Sequence, residues 1–199
     1  MEYIVKTKNE CDFSGTVPAA ISDYKWGDGY EPKAEARLVF VKDKGFALEM
    51  RAFESDPKAV FTEYGDPVYK DSCLEFFVSF NKNDKRYMNF EMNSNGAFLA
   101  AVRTDRKNKT PIHLLAGDEM PTVEPFKGDG FWGVRAFFSL GFIKKTFGVD
   151  KFARGDVIKG NFYKCGDETP RPHFGAWSPI ENPTPDFHRP EFFGDLVID

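Results

Sequence analysis

Tyr87-Met88-Asn89-Phe90-Glu91-Met92-Asn93 alternates without a break. In an extended chain Met88, Phe90 and Met92 fall on one side, and Tyr87, Asn89, Glu91 and Asn93 on the other. A helix would scatter these residues around its circumference, and only a period of two sorts them. The stretch before it behaves alike. Ser72, Leu74, Phe76, Val78 and Phe80 alternate with Cys73, Glu75, Phe77 and Ser79. After it, Asn95-Gly96 is a tight-hairpin dipeptide that leads into Ala97–Arg103. Three consecutive antiparallel strands follow from this, with Phe, Met and Leu on the core side and polar groups on the other.

Working outward, strands are predicted at Arg37–Val41 and Phe46–Phe53, joined around Asp43-Lys44-Gly45, and at Phe131–Phe138, Val157–Lys164 and Glu191–Ile198. One short helix is predicted, with Ser139 as N-cap, Leu140, Ile143 and Phe147 on one face, and Gly148 as the stop. The expected fold class is all-β, an antiparallel β-sandwich of two sheets with that helix. No linker or internal repeat divides the 199 residues, so residues 1–199 read as a single domain. The 22 Phe, about one residue in nine, supply the apolar area that such a core needs.

Composition excludes several classes. A net charge of −4 gives no basic face for nucleic acid, and no apolar run is long enough to span a membrane. Met1-Glu2-Tyr3-Ile4-Val5-Lys6 shows no basic segment followed by an apolar one, so a cytoplasmic protein is expected, or an extracellular one if a leader was removed. Cys11, Cys73 and Cys165 are odd in number and far apart in sequence, matching neither a disulfide framework nor a zinc knuckle. No metal site and no cofactor are expected from spacing, since no phosphate loop, dinucleotide fingerprint, metalloprotease helix or nucleophile elbow is present.

Two stretches are irregular. Arg103, Arg106, Lys107 and Lys109 crowd one loop, which reads as a solvated tip. Thr169 to Pro190 holds six of the 13 prolines together with His173, Phe174, Trp177, Phe187 and His188, a stiff aromatic loop of the kind that is functional or tightly packed. Glu75 and Glu91 fall on the polar side of neighbouring strands. Carboxylates and amides there can take paired contacts to vicinal hydroxyls, and a tyrosine can stack on a sugar ring. The same set suits a buried polar network between sheet and loop.

Asp71-Ser72-Cys73-Leu74-Glu75-Phe76-Phe77-Val78, Tyr87-Met88-Asn89-Phe90-Glu91 and Gly130-Phe131-Trp132-Gly133-Val134-Arg135-Ala136-Phe137-Phe138 resemble bacterial family 9 carbohydrate-binding modules and their DOMON-like relatives. So does the close of the chain, Gly160-Asn161-Phe162-Tyr163-Lys164, Trp177-Ser178-Pro179 and Pro185 to Gly194. The resemblance implies a β-sandwich, non-catalytic binding of a mono- or oligosaccharide between two aromatic rings, and structural calcium. It places Glu75 where the family has an acidic sugar ligand, and Tyr87 where a family member carries Arg. It also puts Val68 where one of the two clamp tryptophans would stand, with Tyr69 or Tyr64 as substitutes. Trp177 is the candidate for the second ring. Trp132 is assigned to the core and Trp26 to an N-terminal anchor.

The expected ligand-binding residues are therefore Glu75, Tyr87, Asn89, Glu91, Arg103, Asn161, Trp177 and Tyr69, with no catalytic residue. Two alternatives stay open at this point. Glu75 and Glu91 could form the acid/base pair of a small glycoside hydrolase, or the chain could be an assembly module without a ligand.

Overall fold

The computed structural model describes residues 1–199. Its strands are β1 (Glu2–Lys8), β2 (Ala19–Ile21), β3 (Asp23–Gly27), β4 (Ala34–Val41), β5 (Gly45–Ala52), β6 (Cys73–Ser79) and β7 (Tyr87–Asn93). They continue with β8 (Phe98–Arg103), β9 (Lys109–Pro111), β10 (Thr122–Gly128), β11 (Phe131–Ser139), β12 (Val157–Cys165), β13 (His173–Ala176) and β14 (Gly194–Ile198). Two helices, α1 (His113–Ala116) and α2 (Leu140–Phe147), accompany them. The chain is all-β, as the alternation predicts, although α1 is a second helical turn beyond the single helix expected.

The strands form one curled, mixed sheet in the order β10-β11-β5-β4-β1-β14-β12-β6-β7-β8-β9. This differs from the expected pair of purely antiparallel sheets, and β1 is the reason. Its first half, Glu2–Val5, runs parallel to β14, and its second half, Lys6–Lys8, runs parallel to β4. A single strand thus passes from one half of the sheet to the other and joins them. No hairpin demands an antiparallel arrangement there, because β1 is connected directly to neither neighbour.

The two halves face each other across a core of 35 buried residues. Phe46 of β5 lies 5.3 Å from Phe80, and Phe138 of β11 lies 4.9 Å from Phe90 of β7. Each fully buried Phe contributes roughly 1.5–3 kcal/mol, so these rings dominate the apolar term. α2 closes one end as its sequence signals require. The Phe142 N–H donates to Ser139 Oγ at 2.9 Å, and Gly148 ends the helix at φ 75°.

The other face of β6–β8 and β12 is also covered. Every residue of β6 and β7 is buried, so the polar face expected from the alternation exists but does not face solvent. A second cluster of 11 buried residues, including Phe77, Tyr87, Tyr163 and Phe187, lies between that face and the proline-rich segment. This layer positions the site.

Candidate functional site

Register brings the polar residues together. Glu75 of β6 pairs directly with Glu91 of β7, Tyr87 of β7 with Arg103 of β8, and Cys73 of β6 with Cys165 of β12. Above this floor is a cavity of about 470 Å³. Its floor is Glu75, Phe77, Glu91, Leu99 and Arg103, its walls are Tyr69, Phe174 and Phe187, and its rim carries Arg106, Lys107, Lys109, Asp167, Asp186 and His188. The basic loop after β8 is exposed, as expected of a solvated tip, and it also forms a rim of the cavity. Strand β9 folds Lys109 back against Arg103 and so draws the loop inward.

A hydrogen-bonded relay fixes the floor. Arg103 Nε donates to Asn89 Oδ1 at 2.5 Å, and Asn89 Nδ2 donates to Glu91 Oε1 at 2.7 Å. Asn89 is fully buried, so it orients Glu91 and Arg103 from beneath instead of lining the cavity. The second carboxyl oxygen of Glu91, Oε2, is buried and has no hydrogen-bond partner in the protein. Native proteins seldom leave such an atom unpaired unless a ligand or water completes it.

Burial and its cross-strand neighbour Glu91 push the Glu75 carboxyl well above the usual carboxylate range. Glu91 itself is raised to about 7 by burial, against the opposing pull of its Asn89 hydrogen bond and of Arg103. The floor therefore carries less negative charge at neutral pH than two carboxylates would suggest. Glu75 Oε1 accepts from the Cys165 thiol at 2.9 Å.

Tyr87 reaches the cavity only through a partner. Its hydroxyl meets His188 Nδ1 at 2.9 Å, and burial followed by the cations Arg103, Arg106 and Lys109 lowers His188 to about 3. The imidazole is thus neutral, with one ring nitrogen engaged by the Tyr87 hydroxyl and Nε2 left to other partners. His188, with Phe174, Phe187, Asp167 and the basic rim, was not among the expected ligands. These residues sit in loops or in the short strands β9 and β13, where no periodicity marks a side.

Tyr69 lines the cavity, as expected of a substitute ring, while Val68 is buried beneath it. In an extended segment a platform displaced by one residue would face away. Val68–Lys70 is instead a 3-10 turn, and the turn swings Tyr69 over the floor. Tyr64 is elsewhere, packed on Phe98 at 4.9 Å with its hydroxyl 3.0 Å from His113 Nδ1.

Two expected ligands are corrected. Trp177 is a core residue, 5% exposed, packed 5.6 Å from Phe162 and 6.3 Å from Tyr3. Its backbone N–H donates to the Phe162 carbonyl at 2.9 Å, and its side chain lies on the core face that Phe162 occupies, opposite to Tyr163. Asn161 is also withdrawn from the site. Its Oδ1 accepts from the Ser178 N–H at 2.9 Å and its Nδ2 donates to the Ser178 carbonyl at 2.8 Å, clamping the proline-rich segment to β12. Trp26 and Trp132 keep their expected places. Trp26 Nε1 donates to the Asn182 carbonyl at 3.1 Å, holding the same segment, and Trp132 is buried in the core.

Beside the site lies a buried ammonium. Lys164 Nζ donates to Ser72 Oγ and the Cys165 carbonyl, each at 2.9 Å, and to His173 Nε2 at 2.6 Å, with Glu54 Oε2 at 3.2 Å. This network ties β12 to the β5–β6 connection and stiffens one wall. For the calcium implied by the resemblance, the side chains offer no matching oxygen cage. The one group of three potential metal-ligating side chains is Cys73, Glu75 and Cys165, which is sulfur-rich where calcium takes oxygen.

Residues 10–124 and 132–198 match the model of a family described as "Carbohydrate-binding family 9", and the chain belongs to that family. Among solved structures, a candidate carbohydrate-binding protein from Bacteroides uniformis is similar over 100% of this chain and 99% of its own, with 26% identity and a TM-score of 0.84. A family 9 module from Caldicellulosiruptor kristjanssonii in complex with cellotriose covers 100% of this chain and 93% of its own, at 11% identity and a TM-score of 0.70. The same description with glucose gives 100%, 96%, 11% and 0.70. At that identity the likeness shows a shared fold. No curated protein matches the chain.

Proposed function

We propose that this member of carbohydrate-binding family 9 binds a short saccharide, without chemistry, in the 470 Å³ cavity over β6–β8. The observation that carries the proposal is the Arg103–Asn89–Glu91 relay, which ends in a buried carboxyl oxygen with no partner. A sugar hydroxyl donating to Glu91 Oε2 would complete it. Arg103, His188 Nε2 and the Glu75 carboxyl would hold neighbouring hydroxyls, while Tyr69 and Phe174 offer aromatic faces on the walls. Glucose and cellotriose are rational first probes, because the structurally similar C. kristjanssonii module is described in complex with each.

The hydrolase alternative is disfavoured by the placement of its carboxyls. Glu75 and Glu91 are direct cross-strand neighbours on one floor, whereas glycoside hydrolysis needs its two carboxyl groups to flank the scissile bond. A thermal-shift screen against mono- and oligosaccharides tests the proposal. Saturable stabilisation by one sugar class, lost in Glu91→Gln, is expected; no stabilisation by any saccharide would contradict it.

A further inference from the structure

Cys73 and Cys165 lie 92 positions apart in sequence, yet they are direct partners across the β6–β12 ladder. With Glu75, two residues along β6, they bring two sulfurs and a carboxylate oxygen to within 4.8 Å of one another. All three residues are buried. The two thiols meet each other, and Cys73 Sγ also has the Leu74 carbonyl at 3.8 Å. Cys165 Sγ has the Tyr69 carbonyl at 3.7 Å and the Asp167 carboxylate besides its bond to Glu75.

We propose that Cys73, Cys165 and Glu75 form a binding site for a thiophilic divalent cation, Zn²⁺ by preference, beneath the cavity. Zinc takes sulfur at about 2.3 Å and carboxylate oxygen at about 2.0–2.2 Å in a tetrahedron. Those lengths place its ligand atoms roughly 3.5–3.8 Å apart, so the widest separation, at most 4.8 Å, would close by about 1 Å, while Cys165 Sγ and Glu75 Oε1, now 2.9 Å apart, would open by somewhat less. The two thiolates select against calcium and magnesium, which take oxygen ligands. All three residues sit on paired strands, so little ordering remains to be done on binding.

Three protein ligands leave one tetrahedral position open. Glu75 lines the cavity, and its cross-strand partner Glu91 presents an unpartnered carboxyl oxygen beside it. The fourth ligand is therefore Glu91 Oε2 or a cavity water held by it. Binding releases the two thiol protons and the proton held by Glu75 to solvent, and leaves a centre of net charge −1 with water as fourth ligand or −2 with the Glu91 carboxylate, a charge that Arg103 on the same floor opposes. This inference shares Glu75 and Glu91 with the saccharide proposal but does not rest on it, and it is tested without sugar.

The reduced, chelator-stripped full chain is titrated with Co²⁺, then with Zn²⁺. One equivalent of Co²⁺ is expected to give a thiolate-to-cobalt charge-transfer band with tetrahedral ligand-field bands, both abolished by one equivalent of Zn²⁺. Cys73→Ser and Cys165→Ser should each weaken binding at least about tenfold and reduce the thiolate band. Cys11→Ser, on an exposed residue outside the cluster, should behave as wild type. Because a cysteine variant can fail to fold, Glu75→Gln provides the second arm. It keeps both thiols and should lose most of the rise in melting temperature that Zn²⁺ gives the wild type. The proposal is overturned if no thiolate band forms, if binding survives both cysteine variants, or if Zn²⁺ stabilises Glu75→Gln as much as wild type.

Discussion

Glu91 is buried against Glu75, and Glu91→Gln removes its charge while keeping its shape and its acceptor for Asn89. In the folded protein the Glu91 carboxyl titrates at about 7, raised from an ordinary 4.5 chiefly by burial. That gap corresponds to about 3 kcal/mol. A raised carboxyl pKa means that the folded state binds the proton more tightly than the unfolded one. Its stabilising contribution is complete below about pH 4.5 and is lost as pH rises through about 7. The glutamine has no such dependence. Glu75 ionises more easily once its neighbour is neutral, so it too costs the variant less stability as pH rises, an effect in the same direction. His173 and His188, lowered to about 4 and about 3, titrate in both proteins and cancel. The assay is the melting temperature of wild type and Glu91→Gln at half-unit steps from pH 5 to pH 8. The variant should gain on wild type as pH rises, by up to about 3 kcal/mol in all, or about 6–12 °C for a domain of this size. A difference that stays flat across this range would refute the assignment of a buried, strained carboxylate to the cavity floor.

Trp177→Ala should lower unfolding stability by about 3–5 kcal/mol in a urea titration, while saccharide affinity per folded molecule stays close to wild type. Tyr69→Ala should do the reverse, keeping stability within about 1 kcal/mol and weakening saccharide binding up to about tenfold in calorimetry. Tyr64→Ala should leave that affinity unchanged. Asn161→Ala strands the Ser178 N–H and carbonyl, so a loss of about 1–3 kcal/mol is expected, with limited proteolysis now cutting between residues 169 and 190.

What the sequence made legible follows the range of the forces involved. Tyr87–Asn93 was bounded to the residue because its alternation is unbroken and Asn95-Gly96 supplies the turn. The Ser139 cap and the Gly148 stop were legible for the same reason, since both act within one helical turn. β1 was missed although Tyr3 and Val5 alternate inward, and its parallel insertion between β4 and β14 depends on partners far along the chain.

Glu75, Glu91 and Arg103, which strand alternation puts on the polar side, and Tyr69, which the resemblance names, all line the cavity. Asn89 and Tyr87 were placed on the correct side but act through Glu91, Arg103 and His188. Trp177 and Asn161 failed for a different reason. Trp177 follows β13, and its pairing with Phe162 turns it to the core face, a fact of long-range register that no local pattern carries. The meeting of Cys73 with Cys165 has the same origin.

The most direct test of the central claim is calorimetric titration of glucose and cellotriose into wild type, Glu91→Gln and Arg103→Lys at pH 8. Glu91 is ionised there, and Arg103→Lys loses the Nε contact to Asn89. The account predicts saturable binding of a saccharide to wild type, weakened about tenfold or more in each variant, with all three proteins folded. Wild-type affinity retained in both variants, or no binding by wild type to these or other saccharides, would contradict it.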